Sequence, residues 1–139
     1  MSRAAFAQIV YEDAAMQGLG FIESRVWQAN ALDTPPRDTP FVIISSEGRE
    51  KAFGNVGSDL VSYWVHIPKT VMRDYGIVDL ALDRIEELLV ATAHFVGEDG
   101  YVLTGASWVD RSRDLIDESF NTLTKYSTFR AATRSVVVT

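Results

Sequence analysis

The sequence contains no cysteine, only two histidines and only four prolines among its 139 residues. Without cysteine there is no disulfide, no thiolate zinc ligand and no cysteine nucleophile. The apolar runs are much shorter than the roughly twenty residues of a membrane-spanning helix. The N-terminus also lacks the basic start and apolar centre of a signal peptide. We therefore expect a protein that is made and kept in the cytoplasm, or in a structure assembled there, with no membrane partner.

Catalytic and cofactor-binding patterns are equally scarce. His66 and His94 have no second ligand at a spacing typical of a metal site. No G-x-S-x-G motif is present, and the glycine pairs match neither a phosphate loop nor a dinucleotide fingerprint. We expect no catalytic residues, no metal, no cofactor and no enzymatic activity.

The size and charge of the chain limit the number of domains and the ligands that we expect. A length of 139 residues suits a single domain over residues 1–139 that buries one core. A hydrophobic content of 47% and a charged content of 23% are ordinary for a globular protein. The formal net charge of −6 argues against nucleic acid as a direct ligand, because such binding depends on Lys and Arg. An acidic wall can still let a duplex slide past.

The segment from Tyr63 to Ala93 has the strongest pattern, a strand followed by an amphipathic helix. Residues 61, 63, 65 and 67 share one strand face, and Pro68 ends the strand because it lacks an N–H. In the helix, Leu80 and Val90 fall on the charged side, where they either face solvent or meet a neighbouring subunit. The apolar arc comprises Ile77, Val78, Ala81, Leu82, Ile85, Leu88 and Leu89, opposite Asp79, Asp83, Arg84, Glu86 and Glu87.

The first half of the chain has less regular patterns than the segment from Tyr63 to Ala93. Ser2 is a suitable cap for one helix that continues to about Gln17. Residues 21–28 predict a strand, and the proline-rich residues 29–40 predict a long loop of the kind that contacts partners. Phe41 to Ile44 predict a strand that ends in a turn at Glu47 and Gly48. The polar residues 49–59 then predict an extended arm.

The second half predicts a hairpin and a long final strand. Asp99-Gly100 is a turn signal before a strand over Tyr101 to Val109. Residues 110–119 predict either a solvated loop or a short helix, and Asn121 to Ala132 predict the final strand. The terminal residues 135–139, SVVVT, either pair within the sheet, extend a neighbouring subunit's edge, or fray. The order of elements predicts an α+β fold with a mainly antiparallel mixed sheet and two helices packed on one face.

Two side-chain groups invite chemical hypotheses. The carboxylates of the main helix could pair for acid–base work, although a solvated helix face explains them better. The aromatic residues either line a ligand pocket between sheet and helices or pack the core, and core packing is the expectation for most of them. These aromatic residues are Trp27, Tyr63, Trp64, Tyr101, Trp108, Tyr126 and Phe129.

Three stretches of the chain resemble the tail terminator proteins of long-tailed (siphovirus-type) phages that infect actinobacteria. They are HIPKTVMRDYGIVDLALDRIEELL, HFVGEDGYVLTGASWVDRSRDL and FNTLTKYSTFRAATR. The resemblance implies a phage tail-terminator-like α+β fold and a structural virion protein. Such a protein forms a ring, usually a hexamer, that caps the head-proximal end of the tail tube and stops tube polymerisation. Its implied partners are itself, the tail tube protein and the head–tail connector protein, while DNA passes through the lumen without specific binding.

Loop and strand-end positions suggest a subunit or partner interface. Its candidate residues are Arg49, Lys51, Trp108, Arg111 and Arg113. Two alternatives to the tail terminator stay open. One is another head–tail joining or minor tail protein, and the other is a small-molecule-binding α+β domain.

Overall fold

The computed structural model describes residues 4–28, 38–53 and 56–135, with the side chains of residues 47–59 and 135 left aside. These residues form an α+β fold in which a curled mixed sheet is covered by α-helices. The helices are α1 (Ala4–Tyr11), α2 (Ala14–Gly18) and α3 (Gly76–Ala91). The strands are β1 (Val26–Gln28), β2 (Phe41–Phe53), β3 (Val56–Pro68), β4 (Phe95–Val96), β5 (Tyr101–Arg111), β6 (Leu115–Asp117) and β7 (Thr122–Ser135).

The described strands make a single seven-stranded sheet in the order β1-β2-β3-β7-β5-β4, and β6 also pairs with β7. Only the short pairing of β1 with β2 is parallel. All other pairings are antiparallel. The predicted α+β class with a mainly antiparallel sheet is confirmed, but the prediction of two helices is wrong because the described residues contain three.

The extra helix arises where one N-terminal helix was expected. α1 ends at Tyr11, and the carboxylate of Asp13 accepts a hydrogen bond from the backbone N–H of Met16 at 3.0 Å. An aspartate in extended geometry at this position is a strong helix N-cap, so a new helix begins at Ala14. The predicted cap Ser2 lies outside the described residues.

Two strand predictions in the first half are also corrected. Of residues 21–28, only Val26–Gln28 form a strand, because Glu23–Arg25 form a 3₁₀ turn. No turn interrupts the chain at Glu47 and Gly48, since β2 continues to Phe53. The pairing with β3 instead shifts register between Ser46 and Arg49, so the glycine marks a bulge. Residues 29–37 of the predicted loop lie outside the described residues.

The second half follows the predictions more closely. The Asp99-Gly100 turn is confirmed, with Gly100 at a φ of 87° and the N–H of Gly97 bonded to the carbonyl of Tyr101 at 2.8 Å. The predicted final strand is present and extends to Ser135. Residues 110–119 are neither a loop nor a helix throughout, because β5 continues to Arg111 and β6 pairs with the start of β7.

The core lies between the sheet and the helices. The predicted strand face of β3 is buried, and the Tyr63 hydroxyl donates a hydrogen bond to the carbonyl of Phe6 in α1 at 2.9 Å. The predicted arc of α3 is confirmed, whereas Leu80 and Val90 are exposed. Fully buried side chains of α3 are Val78, Ala81, Leu82, Ile85 and Leu89, with Ile77 and Leu88 partly buried against the same core.

Candidate interaction surfaces

The five interface candidates do not form one patch. Trp108 is 47% exposed on β5, and Arg113 is exposed in the short segment between β5 and β6. Arg111 instead points back to α3, where it contacts two carboxylates. Arg49 and Lys51 lie on β2 opposite Asp59 and Gly57 of β3, and their side chains lie outside the described set. Their roles at an interface therefore stay predictions.

The acidic face of α3 is connected to the rest of the protein by three cations, each of which contacts two carboxylates. Arg84 contacts Asp13 at 2.7 Å and Glu87 at 3.0 Å. Arg111 contacts Asp83 at 2.8 Å and Glu86 at 3.2 Å, and Lys125 contacts Asp79 at 2.7 Å and Asp114 at 3.3 Å. Sequence patterning identifies the helix face but not these partners, because the cations of β5 and β7 are distant in sequence.

Two of these ion pairs include a largely buried side chain. The side chain of Lys125 is only 13% exposed, and the hydrogen bond to Asp79 raises the pKa of its ammonium group. The side chain of Asp13 is 10% exposed, and the hydrogen bond from Arg84 lowers the pKa of its carboxyl group. Since six carboxylates share three cations, the face remains net acidic and can attract a positively charged partner.

An open groove of about 560 Å³ lies between α1 and α3, and we call it the α1–α3 groove. Its apolar surface comes from Ile9, Leu88, Ala91 and Phe95. Its polar surface comes from Glu12, Asp13, Arg84, Glu87 and Thr92. An apolar floor with mainly acidic groups around it suits a partner segment that carries both an apolar side chain and a cation.

The opposite face of the sheet carries aromatic groups. His66 stacks on Phe41 with a 4.8 Å centroid distance and an interplanar angle of 5°, and its Nδ1 lies 2.8 Å from the Thr122 hydroxyl. Burial lowers the pKa of His66 from 6.5 to about 4, against a smaller opposing effect of Asp117. This histidine is therefore a neutral structural residue at pH 7.

The aromatic residues considered for a ligand pocket do not surround a common cavity. Tyr63 and Phe129 pack edge to face inside the core at a centroid distance of 5.8 Å. Trp64 and Tyr126 pack against each other at 4.5 Å on the other face of the sheet, while Trp108 is exposed. The described structure thus distributes these rings over separate environments instead of one binding cavity.

Both outer edges of the sheet are only partly paired. β1 pairs with β2 at only three residues, beginning with Val42, which lies opposite Val26. β4 pairs with β5 only at Val102 and Leu103. Within the described residues, the remaining outer edges of β2 and β5 therefore have no strand partner. Exposed strand edges are sites at which another chain can add.

Other kinds of site are not found in the described part of the chain. It contains no group of three or more His, Cys, Asp or Glu side chains arranged to hold a metal ion. None of its helices has both the length and the apolar character required to cross a bilayer. Comparison with models of known protein families gives no match, and comparison with curated proteins gives none either.

Proposed function

We propose that the protein is a structural subunit that assembles with copies of itself, and specifically a phage tail terminator. In this role it forms a ring, by resemblance a hexamer, at the head-proximal end of the tail tube. The ring stops polymerisation of the tube protein and offers a surface for the head–tail connector. The proposed location is the tail of the virion, after assembly in the host cytoplasm.

The observation that carries this proposal is the pair of open sheet edges. β2 lies next to one end of the strand order and β5 next to the other, so the two open edges belong to opposite ends of the sheet. A contact between the β5 edge of one copy and the β2 edge of the next is heterologous. Repeated heterologous contacts give a closed ring when the rotation between copies permits closure.

The exposed groups beside the β5 edge agree with this arrangement. Trp108 and Val109 are 47% and 45% exposed, and aromatic residues are enriched at the centres of protein interfaces. The net charge of −6 also suits a lumen through which DNA slides without being held.

Two other functions remain testable alternatives. Another head–tail joining or minor tail protein would use the same open edges for a different contact. A small-molecule-binding domain would use the α1–α3 groove, which is open to solvent on the outside of the helices.

The test combines assembly with tube-length control. Sedimentation velocity and negative-stain electron microscopy of the purified protein, alone and with the tail tube protein of the same phage, should show rings or capped tubes. In a phage that lacks the gene, overlong tubes are expected. Normal tubes that fail to join heads would instead indicate another joining protein, and a monomer that never caps tubes would exclude the tail terminator.

A further inference from the structure

The α1–α3 groove combines an apolar floor with a negative balance of charge. The floor side chains Leu88 and Phe95 are partly buried against the core, whereas Ala91 is exposed at the end of α3. Among the charged residues that line the groove, Arg84 already contacts both Asp13 and Glu87. Glu12 adds a further exposed carboxylate, so the three acids outnumber the one cation.

We propose that this groove binds the C-terminal segment, residues 134–139, of a second copy of the chain. The segment reads RSVVVT and contains one cation, three consecutive valines and no acid. Arg134 is exposed at the end of β7, beyond which residues 136–139 lie outside the described structure. Its charge is opposite to that of the groove, and a valine side chain is apolar like the groove floor.

The distance between the end of β7 and the groove indicates that the bound segment comes from a second copy and not from the same chain. Ser135 pairs with Tyr101 on β5, and the groove residue Phe95 lies on β4, on the far side of β5. Crossing from β7 over β5 to β4 takes about 10 Å at the usual strand spacing. Four extended residues reach at most about 14 Å. Residues 136–139 of the same chain could therefore bring about one residue to the groove, which is too few to place both a valine and the cation.

This inference rests on the proposed function, because it requires copies of the chain to associate. It adds a second contact between copies, in which residues 134–139 of one copy bind the α1–α3 groove of another, in addition to the contact between sheet edges. The two contacts lie at different places on the protein, so they can be disrupted separately.

Introduced cysteines provide a direct test, because the natural chain has none. The full-length variant Ala91→Cys, Val137→Cys is oxidised with copper–phenanthroline and examined by non-reducing gel electrophoresis and mass spectrometry. Disulfide-linked dimers and higher oligomers are expected. The matched control pair is Val71→Cys, Val137→Cys, in which Val71 is an exposed apolar residue of the turn after β3. This pair should remain mainly monomeric.

A charge variant tests the recognition itself. Glu12→Lys in the Ala91→Cys, Val137→Cys background should slow intermolecular cross-linking by about two- to fivefold, because a surface charge pair is worth up to about 1 kcal/mol. Glu118→Lys makes the same change of charge at an exposed residue of the turn between β6 and β7, and should leave the rate unchanged.

The contrary outcomes are separate from those of the proposed function. Only intramolecular disulfides, no disulfides, or equal cross-linking of the control pair would overturn the groove inference. If wild-type rings form while the test pair fails to cross-link, the assembly proposal stands and the groove inference falls. If the test pair cross-links but neither rings nor capped tubes form, the groove contact stands and the tail terminator proposal falls.

Discussion

Arg84 donates two hydrogen bonds to the carboxylate of Asp13, from Nε to Oδ2 at 3.0 Å and from Nη2 to Oδ1 at 2.7 Å. The same carboxylate caps α2 by accepting from the N–H of Met16. One aspartate therefore fixes the start of α2 and joins it to α3. A bidentate arrangement of this kind specifies orientation as well as energy.

Replacement of Asp13 should separate these two roles. Asp13→Ala removes the cap and the partner of Arg84, and we expect a loss of about 2 kcal/mol in the free energy of unfolding. Asp13→Asn keeps an oxygen that can cap α2, so the loss should be clearly smaller. Urea denaturation followed by circular dichroism measures both, with Glu118→Gln as an exposed control within about 0.5 kcal/mol of wild type. Equal losses for the two Asp13 variants would show that the cap contributes nothing measurable.

Stability should depend on pH through His66. Its folded-state pKa of about 4 lies below the ordinary 6.5, so the unfolded state binds the proton more readily. Stability is therefore full above pH 6.5 and is lost as the pH falls towards 4, by about 3 kcal/mol at most. Urea midpoints at a series of pH values measure this loss.

The variant His66→Gln is the matched control for that dependence, because glutamine keeps polar groups and does not titrate. Its stability should change much less between pH 6.5 and pH 4. Asp13 contributes separately: its folded-state pKa is lowered from 3.8, so its stabilisation is lost only at lower pH. Parallel curves for wild type and His66→Gln between pH 6.5 and pH 4 would contradict the assigned role of His66.

The hydroxyl of Tyr63 should contribute to joining the sheet to α1. Tyr63→Phe removes the buried hydrogen bond to the carbonyl of Phe6, with an expected cost of about 1–2 kcal/mol. The comparison variant is Tyr75→Phe, whose hydroxyl donates to the carbonyl of Leu115 at 2.6 Å at a partly buried site. Water can replace that bond more easily, so thermal and urea unfolding should show a smaller loss. A larger loss for Tyr75→Phe would reverse this ranking.

The β5 edge should be required for assembly but not for folding. Trp108→Lys places a charge beside the open edge, a substitution that opposes edge pairing. We expect a shift from rings to smaller species in sedimentation velocity, with unfolding free energy within about 0.5 kcal/mol of wild type. Val71→Lys also introduces a lysine in place of an exposed apolar residue, but away from this edge, and should assemble normally. Normal rings from Trp108→Lys would remove Trp108 from the interface.

Local sequence patterns predicted some elements of the fold correctly and missed others. The apolar arc of α3 was predictable because its period of 3.6 residues is a local property of the sequence. The burial of one face of β3 was predictable for the same reason, with a period of two. Asp13 was a missed signal, since an aspartate before an apolar helical segment is a typical N-cap. Gly48 was misread as a turn because a glycine in a polar segment is equally compatible with a bulge inside a strand.

The tertiary structure determines which charged side chains form ion pairs. Asp79 and Lys125 are 46 positions apart, and Asp13 and Arg84 are 71 positions apart. No local period links such residues, because only the packing of α3 on the sheet and against the N-terminal helices brings them within 2.7 Å. The α1–α3 groove likewise exists only where two helices distant in sequence lie side by side.

By itself the sequence determined the α+β class, the amphipathic faces of α3 and β3, and the acidic balance of charge, since each follows from composition or from a local period. The tertiary structure decided the strand order, the open edges of β2 and β5, and the sharing of three cations among six carboxylates. Those features depend on contacts between distant segments, because pairing and packing select among arrangements that local propensity leaves equivalent.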